Sequence, residues 1–407
     1  GVQTCALPIL SAKSQRAVVK MSYHKMSHAG AHARYLEREG AGLEQSTAHN
    51  HVGYLERDAG GLEHERGQAL AGPQFPYEEV RDYFHYSNNY VGPLDEAAEK
   101  LSEQEGFRPA DMQTDLMNHL KARHDVRIRI VADHDGETAM RRYDAASGTL
   151  FLSALLSGPS RAFHLAHQIA LLGQSETIER LVAEANFTTE DAKSICRVGL
   201  ANYFAGALVM PYRAFAAQAR AVRHDIEQLQ SRFAVSFEQV CHRLSTLQRP
   251  GARGVPFYFV RVDMAGNITK RHSATRFHFA RFGGACPLWN VHQAFEQPGR
   301  FLRQLAETPD GIRYLLMSRD VSKHAGAFNA PVRRFAIGLG CEVAHAGSVV
   351  YADGLDLTKP RAFEPIGISC RICPRPDCHQ RSVPPIDRPL RIPGDRNGPL
   401  PYEISET

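Results

Sequence analysis

The chain has 407 residues, of which 43% are apolar and 23% charged, and this composition is typical of folded globular proteins. The length exceeds that of one ordinary domain and predicts two or three. The net charge is only +4, from 48 basic and 44 acidic residues. This balance excludes a strong overall field that would by itself indicate binding to nucleic acid or acidic lipid.

Two features of the sequence bear on localisation. The longest stretch without a charged residue runs from Ala145 to Ser160, and it is shorter than the roughly 20 residues of a membrane span. The N-terminus lacks the charged, apolar and small-residue order of a secretory signal. We therefore expect a cytoplasmic protein with no membrane partner. Its eight cysteines are then expected to be thiols or metal ligands rather than disulfides.

The first 72 residues differ in character from the rest of the chain. They are charged and Gly-rich, and they contain two similar segments, Arg34–Gly40 and Gly53–Ala59. Two copies are too few for a repeat fold. We expect residues 1–72 to be a spurious or chimaeric N-terminus that is poorly ordered. This region also shows no pair of capped helices joined by a glycine turn, the pattern of a DNA-binding helix-turn-helix.

Residues 73–225 are predicted to form one α+β domain. Apolar periodicity predicts helices over Glu78–Phe84, Leu94–Leu101, Asp111–Ala122 and Pro159–Leu172. Alternating patterns between turn residues predict strands over Val126–Val131, Met140–Tyr143 and Thr149–Ser153. A further helix is expected to begin at Thr188 or Thr189. Its predicted apolar stripe consists of Val198, Ala201, Ala205 and Leu208.

The helix that starts near Pro159 carries an incomplete zinc-peptidase motif. Such a helix needs two histidines four residues apart to bind one metal, and a glutamate after the first histidine as general base. Here Gln168 follows His167, and Leu171 stands where the second histidine would be. An amide cannot take a proton from water, and leucine cannot bind metal. We expect His164 and His167 to be structural histidines of a relic peptidase helix.

Residues 226–407 are predicted to form a second, mixed α/β domain. Ser236 and Gln239 have the spacing of a capping box that opens a helix. Strand-like runs follow at Phe257–Val262, Ile268–Lys270, Ile312–Met317, Arg334–Ile337 and Ser348–Tyr351. This spacing is typical of small sheet-based sensory domains such as the GAF and PAS folds.

A cysteine-rich loop near the C-terminus is the strongest candidate metal site. Cys370, Cys373 and Cys378 have C-x2-C-x4-C spacing, which lets three thiolates converge on one centre. Cys286, which precedes a proline, is the preferred fourth ligand. Cys341 and His379 are the alternatives. Four thiolates suit zinc or a [4Fe–4S] cluster. The other interpretation is a set of free thiols in a loop.

Several separate motifs agree in their order along the chain. They are Phe163-x-Leu165-Ala166-His167, Ala201-Asn202-Tyr203-Phe204-Ala205, Met210-Pro211-Tyr212 and the segment from Gly367 to Arg381. The first three resemble the IrrE/ImmA-like metallopeptidase domain. The form with Gln168 and Leu171 resembles the short-chain fatty acyl-CoA transcriptional regulators, whose peptidase-like domain lacks the catalytic set. The resemblance runs from about Pro73 to Tyr402.

The resemblance implies a transcriptional regulator rather than an enzyme. It implies short-chain acyl-CoA as effector, sensed through the C-terminal region, and control of propionate or acetate metabolism. Promoter DNA is the implied partner of the intact family member, and we expect a homodimer. The alternative is a zinc metallopeptidase of the IrrE/ImmA type that cleaves a repressor, and Gln168 and Leu171 argue against it. Two arginine pairs are candidate ligands for the coenzyme A phosphates, Arg333 with Arg334 and Arg371 with Arg375.

Overall fold

The structure is a computed structural model that describes residues 75–132, 139–279, 285–323, 332–395, 398 and 400–404. The N-terminal segment 1–72 lies outside these residues, so our expectation for it stays a prediction. The boundary expected between residues 225 and 226 also stays a prediction.

Helices dominate the first half of the described chain. They are α1 (Pro76–Tyr86), α2 (Gly92–Glu105), α3 (Met112–His124), α4 (Gly158–Gly173), α5 (Ser175–Glu184), α6 (Glu190–Val209), α7 (Tyr212–Ala221), α8 (Ile226–Phe233) and α9 (Phe237–Ser245). Helix α6 is central and packs against α1, α2, α4 and α5. The predicted helices are confirmed, whereas α5, α7 and α8 were not predicted. Two N-caps are also confirmed, because Thr189 Oγ1 accepts from the Ala192 amide at 3.1 Å and Ser236 forms a capping box with Gln239.

A small sheet lies within the helical half. Its strands are β1 (Arg127–Val131), β2 (Arg141–Asp144) and β3 (Thr149–Ser153), in the order β1-β3-β2. Strand β3 is parallel to β1 and antiparallel to β2. The three predicted strands are therefore confirmed. Strand β2 starts at Arg141, whose guanidinium reaches the side chain of Gln168 on α4.

The second half is built on a larger sheet. Its strands are β4 (Tyr258–Asp263), β5 (Ile268–Ser273), β6 (Leu302–Glu307), β7 (Arg313–Lys323), β8 (Arg333–Glu342) and β9 (Glu364–Pro365), in the order β5-β4-β8-β7-β6-β9. Only the pair β6 and β9 is parallel among these neighbours. Two short helices, α10 (Asn290–Gln293) and α11 (Val343–Ala346), and a ribbon of β10 (Leu390–Arg391) and β11 (Glu403–Ile404) complete this half.

One predicted strand of this half is wrong. The segment Ser348–Tyr351 runs into a short 3-10 helix, Val350–Ala352, instead of joining the sheet. The Val350 amide donates to the carbonyl of Arg223 at 2.8 Å, so its hydrogen bond goes to the helical half. Strands β6 and β9 were not predicted.

The larger sheet is buried on both faces. Along β4, Tyr258 and Val260 face one apolar cluster with Trp289, while Phe259 between them joins the core of the helical half. This alternation follows the two-residue period of a strand. Because β4 contributes to the helical core, the two halves share one hydrophobic core. The α+β prediction is confirmed.

A buried charge network also joins the two halves. The carboxylate of Asp95 on α2 is fully buried and accepts hydrogen bonds from Arg243 at 2.6 Å, Tyr203 at 2.7 Å and Arg249 at 3.1 Å. Arg249 also donates to Glu99 at 2.8 Å. Helices α2, α6 and α9 and the chain that leads into β4 therefore meet at one carboxylate. Within the described ranges, none of the helices has the length and apolar character needed to cross a membrane.

Candidate functional site

The relic peptidase helix is α4, and it turns His167 into the core. His167 Nδ1 donates to the side-chain oxygen of Asn202 on α6 at 2.9 Å. Burial lowers the pKa of His167 to about 4, and the nearby charge of Arg141 acts in the same direction. The imidazole is therefore neutral at pH 7 and ties α4 to α6. This is the role of a structural histidine.

A guanidinium stands beside this histidine. Arg141 reaches over from β2 and donates to Oε1 of Gln168, the residue in the place of the general base. Burial lowers the pKa of Arg141, but an arginine stays charged at any physiological pH. A positive charge at this point disfavours a metal cation.

The relic site does not fit the zinc that an IrrE-like peptidase would hold. Leu171 has no donor atom, and Gly199 and Leu200 of α6 lie where a third ligand, a glutamate, is expected. Across the described part of the chain, no group of three or more His, Cys, Asp or Glu side chains is arranged to hold a metal ion. We therefore derive no chemistry through a metal at this site.

The cysteine-rich loop meets the segment that carries Cys286. Cys286, Cys370 and Cys373 are buried, and Cys378 is partly buried. A methyl group added at Gly367 would lie 2.9 Å from Cys373 Sγ and 4.0 Å from Cys286 Sγ, so two thiols flank this glycine. The Gly367 amide donates to Cys286 Sγ at 3.3 Å, and Ser382 Oγ donates to Cys370 Sγ at 3.4 Å. Amide and hydroxyl donors to sulfur are what thiolate ligands need.

Without a bound cation, the electrostatics of the loop favour neutral thiols over thiolates. Burial raises the pKa of Cys286 to about 11, with Cys370 and Cys373 adding to the rise. A bound cation would reverse this shift and release protons. The buried guanidinium of Arg381 donates to the carbonyls of Cys370 at 2.7 Å and Cys373 at 3.1 Å. The donor set therefore fits zinc or an iron–sulfur cluster, although these side chains do not form a closed ligand set in the structure.

Neither alternative fourth ligand is placed as well as Cys286. Cys341 belongs to the core of the helical half, whereas Cys286 and Cys378 belong to the cluster on the other face of the sheet. His379 is exposed. Of the arginines considered for phosphate binding, Arg375 donates to the carbonyl of Glu307 at 2.8 Å and Arg334 to that of Phe295 at 2.9 Å. These two guanidinium groups are already used by the backbone.

A cavity of about 440 Å³, which the sequence did not predict, lies between the two halves. Helices α1, α6 and α9 form one side, and the hairpin of β4 and β5 forms the other. Its lining includes four cationic side chains, Arg81, Arg261, Lys270 and Arg271. Val198 lies at this cavity and is 53% exposed, so its predicted place in a buried stripe is wrong. The volume lies within the range of small-molecule sites.

The two sides of the cavity differ in character. Two helices contribute the apolar residues Val80, Phe84, Ile195 and Val198. On the hairpin side, Arg261 is held by Thr269 at 2.9 Å and by Glu238 at 2.8 Å. The Nη2 atom of Arg81 is buried without a hydrogen-bond partner in the described residues, 3.5 Å from the carboxylate of Asp82. The same guanidinium lies 3.8 Å from the carboxylate of Glu78, so two carboxylates already lie beside this charge.

Two histidines line the same cavity on opposite sides. His242 of α9 and His272 of β5 share a hydrogen bond, with 3.2 Å between their Nε2 atoms, and His272 Nδ1 donates to Asn89 at 2.9 Å. Burial, assisted by the charge of Lys270, lowers the pKa of His272 to about 3 and that of His242 well below its usual value. Both rings are neutral at pH 7 and join the hairpin to α9.

Comparison with known proteins decides the family. Residues 121–245 match the family described as IrrE N-terminal-like domain. Residues 246–402 match the family described as short-chain fatty acyl coenzyme A regulator, C-terminal. A propionyl-CoA carboxylase regulator from Cereibacter sphaeroides is 58% identical over 329 residues, which cover 81% of this chain and 69% of that protein. The chain belongs to the short-chain fatty acyl-CoA regulator family.

Other relatives of this acyl-CoA regulator agree with the assignment. The HTH-type transcriptional regulator RamB of Mycobacterium tuberculosis is 46% identical over 342 residues, covering 84% of this chain and 72% of RamB. A solved structure of a Mycobacterium tuberculosis transcriptional regulator superposes with a TM-score of 0.77 at 44% identity, covering 81% of this chain and 100% of that one. The family inferred from sequence is confirmed. These relatives are named as regulators rather than enzymes.

Proposed function

We propose that the protein is a transcriptional regulator that binds a short-chain acyl-CoA in the cavity between its two halves. Promoter DNA is the proposed partner, the proposed active form is a homodimer, and the regulated genes serve propionate or acetate metabolism. The propionyl-CoA carboxylase regulator and RamB support this assignment by their names and their similarity to the chain.

The two-sided lining of the cavity carries the proposal. Coenzyme A combines phosphate groups with a long, mostly uncharged arm that ends in the thioester. The cationic side chains of Lys270 and Arg271 suit the phosphates, and the apolar residues of α1 and α6 suit the arm and its acyl group. Arg81 and Arg261 already pair with Asp82 and Glu238.

The location changes the expectation from sequence. Sensing was expected through the C-terminal region, whereas α1 and α6 of the helical half also line this cavity. A ligand that contacts both halves favours the arrangement in which they are closed around it. We infer that acyl-CoA acts by such a population shift, which then alters the DNA affinity of the dimer.

The test uses the full-length chain purified without oxygen. We expect acetyl-CoA or propionyl-CoA to raise the melting temperature, because a ligand at 100 times its Kd adds about 2.7 kcal/mol of stability. Promoter binding, followed by gel shift, is expected to change with the same thioester. If no thioester stabilises folded protein and promoter binding ignores acyl-CoA, the proposed function is wrong.

We further propose zinc or a [4Fe–4S] cluster at Cys286, Cys370, Cys373 and Cys378. The buried sulfurs around Gly367 and the donors from Gly367 and Ser382 support this set. When bound, the centre would cross-link the C-terminal loop to the Cys286 segment, and a cluster would add redox sensitivity.

Replacing Cys373 with serine is expected to remove most of the bound metal. Serine lacks the soft thiolate that zinc and iron–sulfur centres prefer. Iron, zinc and acid-labile sulfide are measured on anaerobically purified protein, and sulfide distinguishes the cluster from zinc. The control is Cys196→Ala, which alters a buried cysteine in the core of the helical half. Unchanged metal content in Cys373→Ser, or equal loss in the control, would contradict the site.

A further inference from the structure

We infer that Phe84 closes the apolar end of the cavity and thereby limits the length of the acyl chain that the regulator accepts. The inference rests on the proposed function, since it concerns the acyl group of the same ligand. It identifies the part of the cavity that contacts the acyl group, and the residue that limits how far the acyl group can enter.

Helices α1 and α6 each line the cavity with one face. Helix α1 contributes Tyr77, Val80, Arg81 and Phe84, and helix α6 contributes Ile195, Val198, Gly199, Asn202 and Tyr203. Both sets follow the spacing of three and four residues that marks one face of a helix. The two faces meet where Phe84 of α1 contacts Gly199 of α6. When the hairpin binds the phosphates, the acyl chain extends towards the contact between α1 and α6, which we call the seam.

The ring of Phe84 fills this seam. A methyl group added at Gly199 would lie 2.9 Å and 3.1 Å from two ring carbons of Phe84, so the ring rests on the bare backbone of α6. No larger residue than glycine leaves room for this contact. Phe84 therefore contributes a close contact between the two helices.

Neighbouring aromatic rings and a backbone hydrogen bond also hold Phe84 in place. Its ring makes an edge contact with Tyr83, with 5.3 Å between ring centroids, and Tyr83 in turn contacts Phe187 at 5.8 Å. The Phe84 carbonyl accepts from the Asn89 amide at 2.8 Å, and Asn89 is the residue that binds His272 across the cavity. A side chain fixed in this way acts as a rigid stop rather than a flexible lid.

A rigid stop produces a defined dependence on chain length. Each methylene that enters an apolar site improves affinity by about fourfold. The gain ends when the chain reaches the ring, since a longer chain must displace Phe84 or leave the seam. We therefore expect affinity to rise from free CoA to a short acyl-CoA and then to fall for longer chains.

The experiment compares Kd values of the full-length protein for free CoA and acetyl-, propionyl-, butyryl- and hexanoyl-CoA. In Phe84→Ala we expect hexanoyl-CoA to bind at least about tenfold tighter relative to propionyl-CoA than in the wild type. The affinity for free CoA should change little, because the phosphate contacts remain. The control is Phe107→Ala, which removes a partly buried ring that contacts His119 and does not line the cavity.

A second variant keeps the test independent of the folding of Phe84→Ala. Val198 is 53% exposed at the same seam, so Val198→Phe adds bulk there without disturbing the core. It should weaken butyryl-CoA more than acetyl-CoA. If wild-type protein binds acyl-CoA but both variants keep its order of chain lengths, the inference fails and the proposed function stands. If wild-type protein binds no acyl-CoA, the proposed function itself fails.

Discussion

Replacing Asp95 with alanine is expected to lower the free energy of unfolding by about 3–5 kcal/mol. The carboxylate is fully buried and is shared by Arg243 and Arg249, so its removal leaves the buried Arg243 without a carboxylate partner, while Arg249 keeps Glu99. The loss of one partner from a buried pair is costly because the remaining charge stays out of water. Chemical denaturation of the full-length protein measures the change.

The charge state of Asp95 defines the pH range of this contribution. Burial alone raises its pKa, but attraction to Arg243, hydrogen bonds from Arg243 and Tyr203, and attraction to Arg249 outweigh burial and leave the pKa below its usual value. The stabilisation is therefore fully present above the unfolded-state pKa of about 3.9 and is lost as the pH falls through the lower folded-state value. Near pH 7 the wild-type protein should therefore keep the full stabilisation from Asp95.

The matched control is Asp111→Ala. Asp111 pairs with Arg108 at 3.0 Å on the surface, and an exposed pair contributes less than about 1 kcal/mol. An Asp95→Ala protein that unfolds within 1 kcal/mol of the wild type would show that the network does not join the two halves as described.

Replacing both Lys270 and Arg271 with alanine is expected to weaken acyl-CoA binding by at least about 100-fold. Both residues line the cavity from β5, and a hydrogen bond to a charged group contributes about 1.5–3 kcal/mol. The affinity for free CoA should fall by the same factor, because free and acylated forms carry the same phosphates. Isothermal titration of the full-length protein gives both Kd values.

Salt and a control variant separate this effect from a loss of fold. Added salt should weaken wild-type binding more than that of the double variant, since the variant lacks two phosphate contacts. Lys121→Ala removes an exposed lysine of α3 away from the cavity and should leave both Kd values unchanged. If the double variant binds with wild-type affinity, the phosphates do not lie at the hairpin.

Local sequence signals predicted the local structure well. The capping box at Ser236 and the N-cap at Thr189 need only a few neighbouring residues, and both are present. The strand Thr149–Ser153 was predicted with its observed bounds because turn residues mark both ends. Ser348–Tyr351 has the composition of a strand, but a contact with Arg223, far away in the sequence, decides its conformation.

The candidate site was predictable only where its residues are close in sequence. The C-x2-C-x4-C loop and the motif around His167 are local, so the sequence shows them directly. The cavity joins Tyr77 to Thr269 across 192 positions, and Asp95 meets Arg243 across 148. No sequence pattern within a single helix indicates a contact between residues so far apart in the sequence. The exposure of Val198 is visible only in the structure, because its spacing along α6 predicts a buried residue.

The hydrogen bond between Arg141 and Gln168 has an evolutionary consequence. A Gln168→Glu reversion would give Arg141 a carboxylate partner, and the resulting ion pair would hold the pKa of that carboxyl low and make it a poor base. Leucine at position 171 would still bind no metal. Arg141, Gln168 and Leu171 would all have to change, and a third ligand would have to replace a residue near Leu200, before this helix could serve a zinc peptidase.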